Sequence, residues 1–173
     1  MNKATILLGG DAMFGRSFNK RLQELKNNGS KDYREVFSEE AYQLLNSVDG
    51  VFVNLETTLT ESNNKYSKRI NYKLHPQFKK VLTTSNIKYV SLSNNHICDY
   101  KIEGLNDTMD TLSSINIKYS GAGQTIVKAS KPAFLNIKNI KLAFLSAADH
   151  YPYWDSNKTT KKNNRNRNRI NKN

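Results

Sequence analysis

Between residues 4 and 156, short apolar runs alternate with amphipathic stretches. Ala4–Leu8 is a continuous apolar run ending at Gly9-Gly10, the pattern of a strand buried on both faces. Arg16–Asn27 sets Phe18, Leu22 and Leu25 at helical spacing, and Asn27-Asn28-Gly29 stops that helix. Ser38 suits the N-cap of a second helix over Glu39–Ser47, with Ala41, Leu44 and Leu45 turned inward. Val51–Val53 reads as a second short strand. Pro76 fits the first turn of a helix running to about Ser85 that buries Phe78 and Leu82. Tyr89–Leu92 is a third strand, Glu103–Ile115 a helix with Leu105, Met109 and Leu112 on one face, and Ile117–Ser120 a fourth strand before the turn Gly121-Ala122-Gly123. Ala133–Ile137 and Lys141–Leu145 pair as a hairpin around Lys138-Asn139. This order predicts an α/β layered fold, mostly a parallel sheet with an antiparallel edge hairpin. No internal repeat is present.

The polar residues follow the strands. Asp11 comes after the first, Asn54-Leu55-Glu56 after the second, Asn94-Asn95-His96 after the third, and Asp149-His150 after the last. Ligands of open α/β sheets bind outside the carboxyl ends of the strands, so one shared site is expected there. Carboxylate, amide oxygen and imidazole together suit a divalent ion such as Mn²⁺, Fe²⁺ or Zn²⁺. Taken singly, each motif has a plainer reading. Asp11 also fits a turn or a helix N-cap, Asn54 and Glu56 a strand end with a solvated acid, and His96 a satisfied loop histidine. Asn94 and Asn95 also fit turns with positive φ. Cys98 reads as a small buried residue and His75 as structural or surface.

Composition narrows the class. The 173 residues are 37% hydrophobic and 10% aromatic, enough for a core of one domain. The single cysteine excludes an internal disulfide framework and a multi-cysteine zinc module. No apolar run is long enough to span a bilayer, and the N-terminus lacks a signal-peptide pattern, so a soluble cytoplasmic protein is the expectation. The net charge is +12, but Lys158, Lys161, Lys162, Arg165, Arg167, Arg169 and Lys172 lie in residues 157–173, which carry no acid, leaving +5 on residues 1–156. That Asn-, Lys- and Arg-rich tail cannot bury enough apolar surface to offset its backbone entropy and is expected to be disordered. Its charge permits nucleic-acid binding by counterion release, although it lacks interleaved aromatics for base stacking.

Gly10-Asp11-Ala12-Met13-Phe14-Gly15-Arg16, Asn54-Leu55-Glu56-Thr57-Thr58-Leu59-Thr60 and Ser91 to Tyr100 (SLSNNHICDY) resemble, in order, the GDxMxGR, NLExxLT and SLANNHxxDYG segments of the bacterial CapA-type capsule-synthesis family of poly-γ-glutamate formation. The resemblance covers roughly residues 5–150. It implies a layered α/β sandwich related to calcineurin-like metallophosphoesterases with a two-metal site. On the matching positions it implies Asp11 as a metal ligand, Glu56 as the second-motif carboxylate with Asn54 beside it, Asn95 as a ligand, and His96 as the group that orients or protonates a phosphate oxygen. Arg16 would neutralise a substrate anion or brace Asp11. The implied substrate is polyanionic or phosphate-containing.

The sequence also departs from the family pattern. The family's later HWG- and HPH-type segments, which bring further histidines, do not occur, and Lys101 stands where DYG has its glycine. The expectation is therefore a truncated domain over residues 1–156 with a partial metal site and the basic tail over 157–173. Such a chain would act as a metal-dependent phosphoesterase-like hydrolase if its site is intact. Otherwise it would be a non-catalytic remnant or accessory binding module, and a basic-tailed nucleic-acid binder is the third reading.

Overall fold

A computed structural model of the chain describes residues 3–149. His150 and the 157–173 tail lie outside the described residues. The expected α/β layering is present. Four parallel strands, β1 (Ile6–Ala12), β2 (Gly50–Leu55), β5 (Ile87–Ser91) and β6 (Lys118–Ser120), lie in that order across one sheet. Between them run α1 (Arg16–Asn27), α2 (Glu39–Asn46), α3 (Lys80–Thr84) and α4 (Lys101–Ser114). Two-residue strands β3 (Thr58–Leu59) and β4 (Lys73–Leu74) pair in parallel. A one-turn α5 (Ile126–Ala129) precedes the hairpin of β7 (Ala133–Ile137) and β8 (Ile140–Phe144).

Alternation along the strands separates two cores, one on each face of the sheet. On one face Val51, Leu55, Val90 and Leu92 pack with Leu22, Phe78, Val81, Leu82, Leu105, Met109 and Leu112. On the other, Phe52 and Tyr89 meet Ala133, Leu135 and Ile137 of β7, with Phe144 of β8 against them. The Phe144 ring lies 4.8 Å from Phe52 and 4.5 Å from Tyr89. The hairpin is thus a two-stranded sheet of its own, packed against a face of the parallel sheet and not hydrogen-bonded to its edge. Three layers result: helices, parallel sheet, hairpin.

Several local expectations shift. Gly9-Gly10 does not end the first strand. Leu8 pairs with Phe52 and Asp11 with Asn54, so β1 carries one residue more than β2 over this stretch, which is a bulge. Gly9 fits there because a Cβ would stand 3.0 Å from Val53 Cγ1. β1 is not buried on both faces, Leu8 being 71% exposed, and among the described residues it lies at the edge of the sheet. Leu44 of α2 points outward, 58% exposed, while Leu45 packs inward. Ser38 caps α2 as expected, its hydroxyl accepting from Ala41 N–H. Pro76 opens a single 3₁₀ turn, Pro76–Phe78, ahead of the short α3. His75 caps that turn through Nδ1, which accepts from Gln77 N–H at 3.1 Å, and its Nε2 lies 3.6 Å from Glu61.

Candidate metal and phosphate site

The bulge in β1 sets the phase of the site. Because of the extra residue, Asp11 comes into register with Asn54, Asn54 with Ser91, and Ser91 with Ser120, a polar row across the carboxyl ends of all four strands. Asn54 Nδ2 donates to Asp11 Oδ1 at 2.8 Å and reaches Glu56 Oε1 at 3.5 Å, so one amide joins two carboxylates from adjacent strand ends. Asn54 Oδ1 accepts from Asn94 Nδ2 at 3.0 Å. That contact occupies the oxygen which a ligand role for Asn54 would use. Burial first, and the charge of Asp11 second, raise the Glu56 carboxyl above its ordinary range. Two acids that repel one another beside a shared amide make a place where a cation is favoured.

The loop Asn94-Asn95-His96 closes the row. Asn94 is buried and, with its Oδ1 accepting from His96 N–H, forms an Asx turn, while its amide also donates to Leu55 O. Neither Asn94 nor Asn95 has positive φ. Asn95 makes no side-chain hydrogen bond among the described residues, so its amide oxygen is available. Thr58 Oγ1 donates to His96 O at 2.8 Å, fastening the loop to β3. Cys98 is a small buried residue, as expected, and burial pushes its thiol up to about 11.

The segment between β3 and β4, for which the hydropathy pattern predicts nothing, folds over this loop. Lys68 pairs with Asp99 Oδ1 and donates to Asn95 O at 2.7 Å. Asp99, fully buried, also accepts from Tyr72 N–H at 2.5 Å and contacts His96 Nδ1 at 2.8 Å. The Tyr72 ring lies 4.3 Å from the His96 ring. Arg16, the first residue of α1, has its guanidinium 4.9 Å from the Tyr72 ring centroid. Among the described residues it has no carboxylate within salt-bridge distance, so it does not brace Asp11 through an ion pair. Sequence reading gave Lys68, Tyr72 and Asp99 no role in the site, and named Asn94 only as a strand-end amide or turn residue. Only Asp99, three residues after His96 in a loop, carried a signal that proximity alone could have raised.

The donor set can be tested against the metal that the motifs imply. No group of three or more His, Cys, Asp or Glu side chains placed to hold a metal occurs among the described residues. What they bring together is two carboxylates joined through the Asn54 amide, with Asn94 of the Asn-Asn-His loop bonded to that amide. Among the described residues that set would suit one hard or borderline divalent ion and supplies too few ligands for two.

A family model described as bacterial capsule synthesis protein PGA_cap matches residues 5–173. The match runs beyond residue 150, past the region that the motif resemblance covers. The chain is 29% identical over 160 residues to a probable polyglutamine synthesis accessory protein of Mycobacterium tuberculosis, covering 77% of this chain and 42% of that protein. It is 27% identical over 153 residues to the capsule biosynthesis protein CapA of Bacillus anthracis, covering 86% and 36%. It is 26% identical over 143 residues to the PGA biosynthesis protein CapA of Bacillus subtilis, covering 81% and 36%. The matched region spans less than half the length of these relatives. With a family match over nearly its whole length, and the three motifs gathered at one sheet edge, the chain belongs to the bacterial capsule synthesis protein family PGA_cap.

Proposed function

We propose that the chain serves capsular poly-γ-glutamate synthesis, as the names of its relatives suggest, through a phosphoesterase-type site that holds one divalent cation. Asp11 and Glu56 would supply the negative ligands and Asn95 an amide oxygen, with Asn54 spacing the two acids. A bound Mn²⁺, Fe²⁺ or Zn²⁺ would polarise a phosphoryl oxygen. With Nδ1 of His96 facing Asp99, Nε2 is the nitrogen left to face the substrate, where it would accept a proton and then pass it to a leaving oxygen. Arg16, which has no acidic partner among the described residues, would attract the anionic substrate. The observation that carries this reading is the Asn54 amide, which ties Asp11 and Glu56 together beside the His96 loop.

Mn²⁺-dependent hydrolysis of p-nitrophenyl phosphate by the full chain tests it. Asp11→Ala and His96→Ala are each expected to lower kcat/KM by at least about 100-fold, the scale of lost acid–base or metal catalysis. Undiminished activity in both variants would remove the site assignment. The small donor set favours one second reading, a binding module without turnover. Calorimetry would then show Mn²⁺ binding that Asp11→Ala abolishes, with no hydrolysis by the parent chain. The basic-tail reading concerns residues outside those described, and nothing in the fold bears on it.

On location, no helix among the described residues is long and apolar enough to cross a membrane.

A further inference from the structure

Asp99 is completely buried, and its two oxygens are taken up by three neighbours of its own, Lys68, Tyr72 and His96. Oδ1 faces the Lys68 ammonium, and Oδ2 faces Tyr72 N–H and His96 Nδ1. His96 Nδ1 is also 3.3 Å from Lys68 Nζ, so two tautomers are conceivable. An ammonium only donates and a carboxylate only accepts. If Nδ1 were bare, its lone pair would point at a carboxylate oxygen 2.8 Å away, in a buried site where such repulsion is poorly screened. If Nδ1 carries the proton, the 2.8 Å contact becomes a charge-assisted hydrogen bond, and Lys68 is already satisfied by Asp99 Oδ1 and Asn95 O.

We infer that Asp99 is a positioning residue that fixes His96 as the Nδ1–H tautomer with Nε2 bare, and that Lys68 holds Asp99 and the Asn95 carbonyl in place from the segment between β3 and β4. The folding of that segment over the loop is then part of site assembly. The parallel β3–β4 ladder brings Lys68 and Tyr72 to Asp99, and the Tyr72 ring covers one side of the imidazole. The Tyr66 N–H donates to Asp99 O at 2.7 Å and adds a backbone tie. The role of His96 in proton transfer rests on the function proposed above; its tautomer does not.

The test is ¹⁵N NMR of the imidazole ring in the full chain, at a pH where the ring is neutral. The wild-type protein should show a protonated, pyrrole-type Nδ1 and a pyridine-type Nε2. Replacing the buried charges together, as Asp99→Leu with Lys68→Met, leaves no uncompensated ion, a change that buried pairs often tolerate. That double variant should show averaged ring shifts from mixed tautomers, and Lys68→Arg should keep the wild-type pattern. A wild-type proton on Nε2, or an unchanged pattern in the folded double variant, overturns the assignment. Should the double variant not fold, the wild-type pattern alone decides. If the pattern is as expected but no phosphoester is hydrolysed, the positioning role stands and the reaction reading falls.

Discussion

Burial and the neighbouring Asp11 both raise the Glu56 carboxyl, so the folded chain binds that proton more tightly than the unfolded chain does. The sign follows directly. For an acid with a raised folded-state pKa, stability grows as pH falls through that pKa, and ionised Glu56 weakens the fold above it. Glu56→Gln should therefore raise the Tm of the metal-free protein at pH 7, by about 1–3 °C for a partly exposed group. The difference should vanish below the carboxylate range, where both side chains are neutral. Added Mn²⁺ should reverse the order, because a ligand that binds only the folded state stabilises it by RT ln(1 + [L]/Kd). Wild type should gain Tm with Mn²⁺ and Glu56→Gln much less. Thermal melts at two pH values with and without Mn²⁺ check this, and a Glu56→Gln protein less stable than wild type without metal would contradict it. Asn94, beside it, shows why residue type alone did not separate the two asparagines. The buried one is the brace and the unengaged one the candidate ligand, a distinction made by the Asx turn and not by the sequence NN.

Among elements, the start of α4 carries a conformational cost that the motif comparison exposes. Lys101 occupies the position of the family glycine, and its φ is +58°, in the left-handed region where a Cβ is disfavoured. Its ammonium donates to Asn64 on the exposed surface, a contact of small net value. Lys101→Gly should therefore stabilise the protein by about 1 kcal/mol, read as a shift of the urea midpoint with an unchanged m-value. A loss of stability would mean that the lysine contact outweighs the backbone strain. Three residues on, Gly104 lets α4 approach β3 closely: a Cβ there would stand 2.7 Å from Thr58 Cγ2. Helix spacing, caps and the hairpin were legible because apolar periodicity and turn chemistry are local signals. The bulge in β1 was present as Gly9-Gly10 but reads equally as a strand end. The β3–β4 ladder was invisible, since two-residue strands carry no periodicity and their pairing spans a 13-residue loop.

Across the whole molecule, the sheet has helices on one face and the hairpin on the other, and the site lies where that packing ends. Its location was legible because polar residues follow each of several strands; its second ring of contacts was not, because Lys68, Tyr72 and Asp99 meet only after the chain has folded. The hairpin also touches the site edge. Beyond β8, Ser146 Oγ lies 2.5 Å from Ser91 Oγ, and Ser93 Oγ donates to Ser146 O at 3.1 Å and to Gly121 O at 3.0 Å. These hydroxyls tie the segment after the hairpin to the same strand end that carries the Asn-Asn-His loop. The aromatic cluster of Phe52, Tyr89 and Phe144 holds the layer down. Phe144→Ala should cost about 2–4 kcal/mol, somewhat below a fully enclosed phenylalanine because this ring is only partly buried. Aromatic edge and stacking contacts make up part of that loss. Because the helix-side core is separate, the loss should fall unevenly: backbone amides of β7 and β8 should exchange with deuterium faster, while those of β2 and β5 keep most of their protection. Uniform acceleration across all strands would show instead that the two cores unfold as one unit. In that case the hairpin is an integral part of the sheet's stability, and the site edge fastened through Ser146 would loosen only with the whole fold.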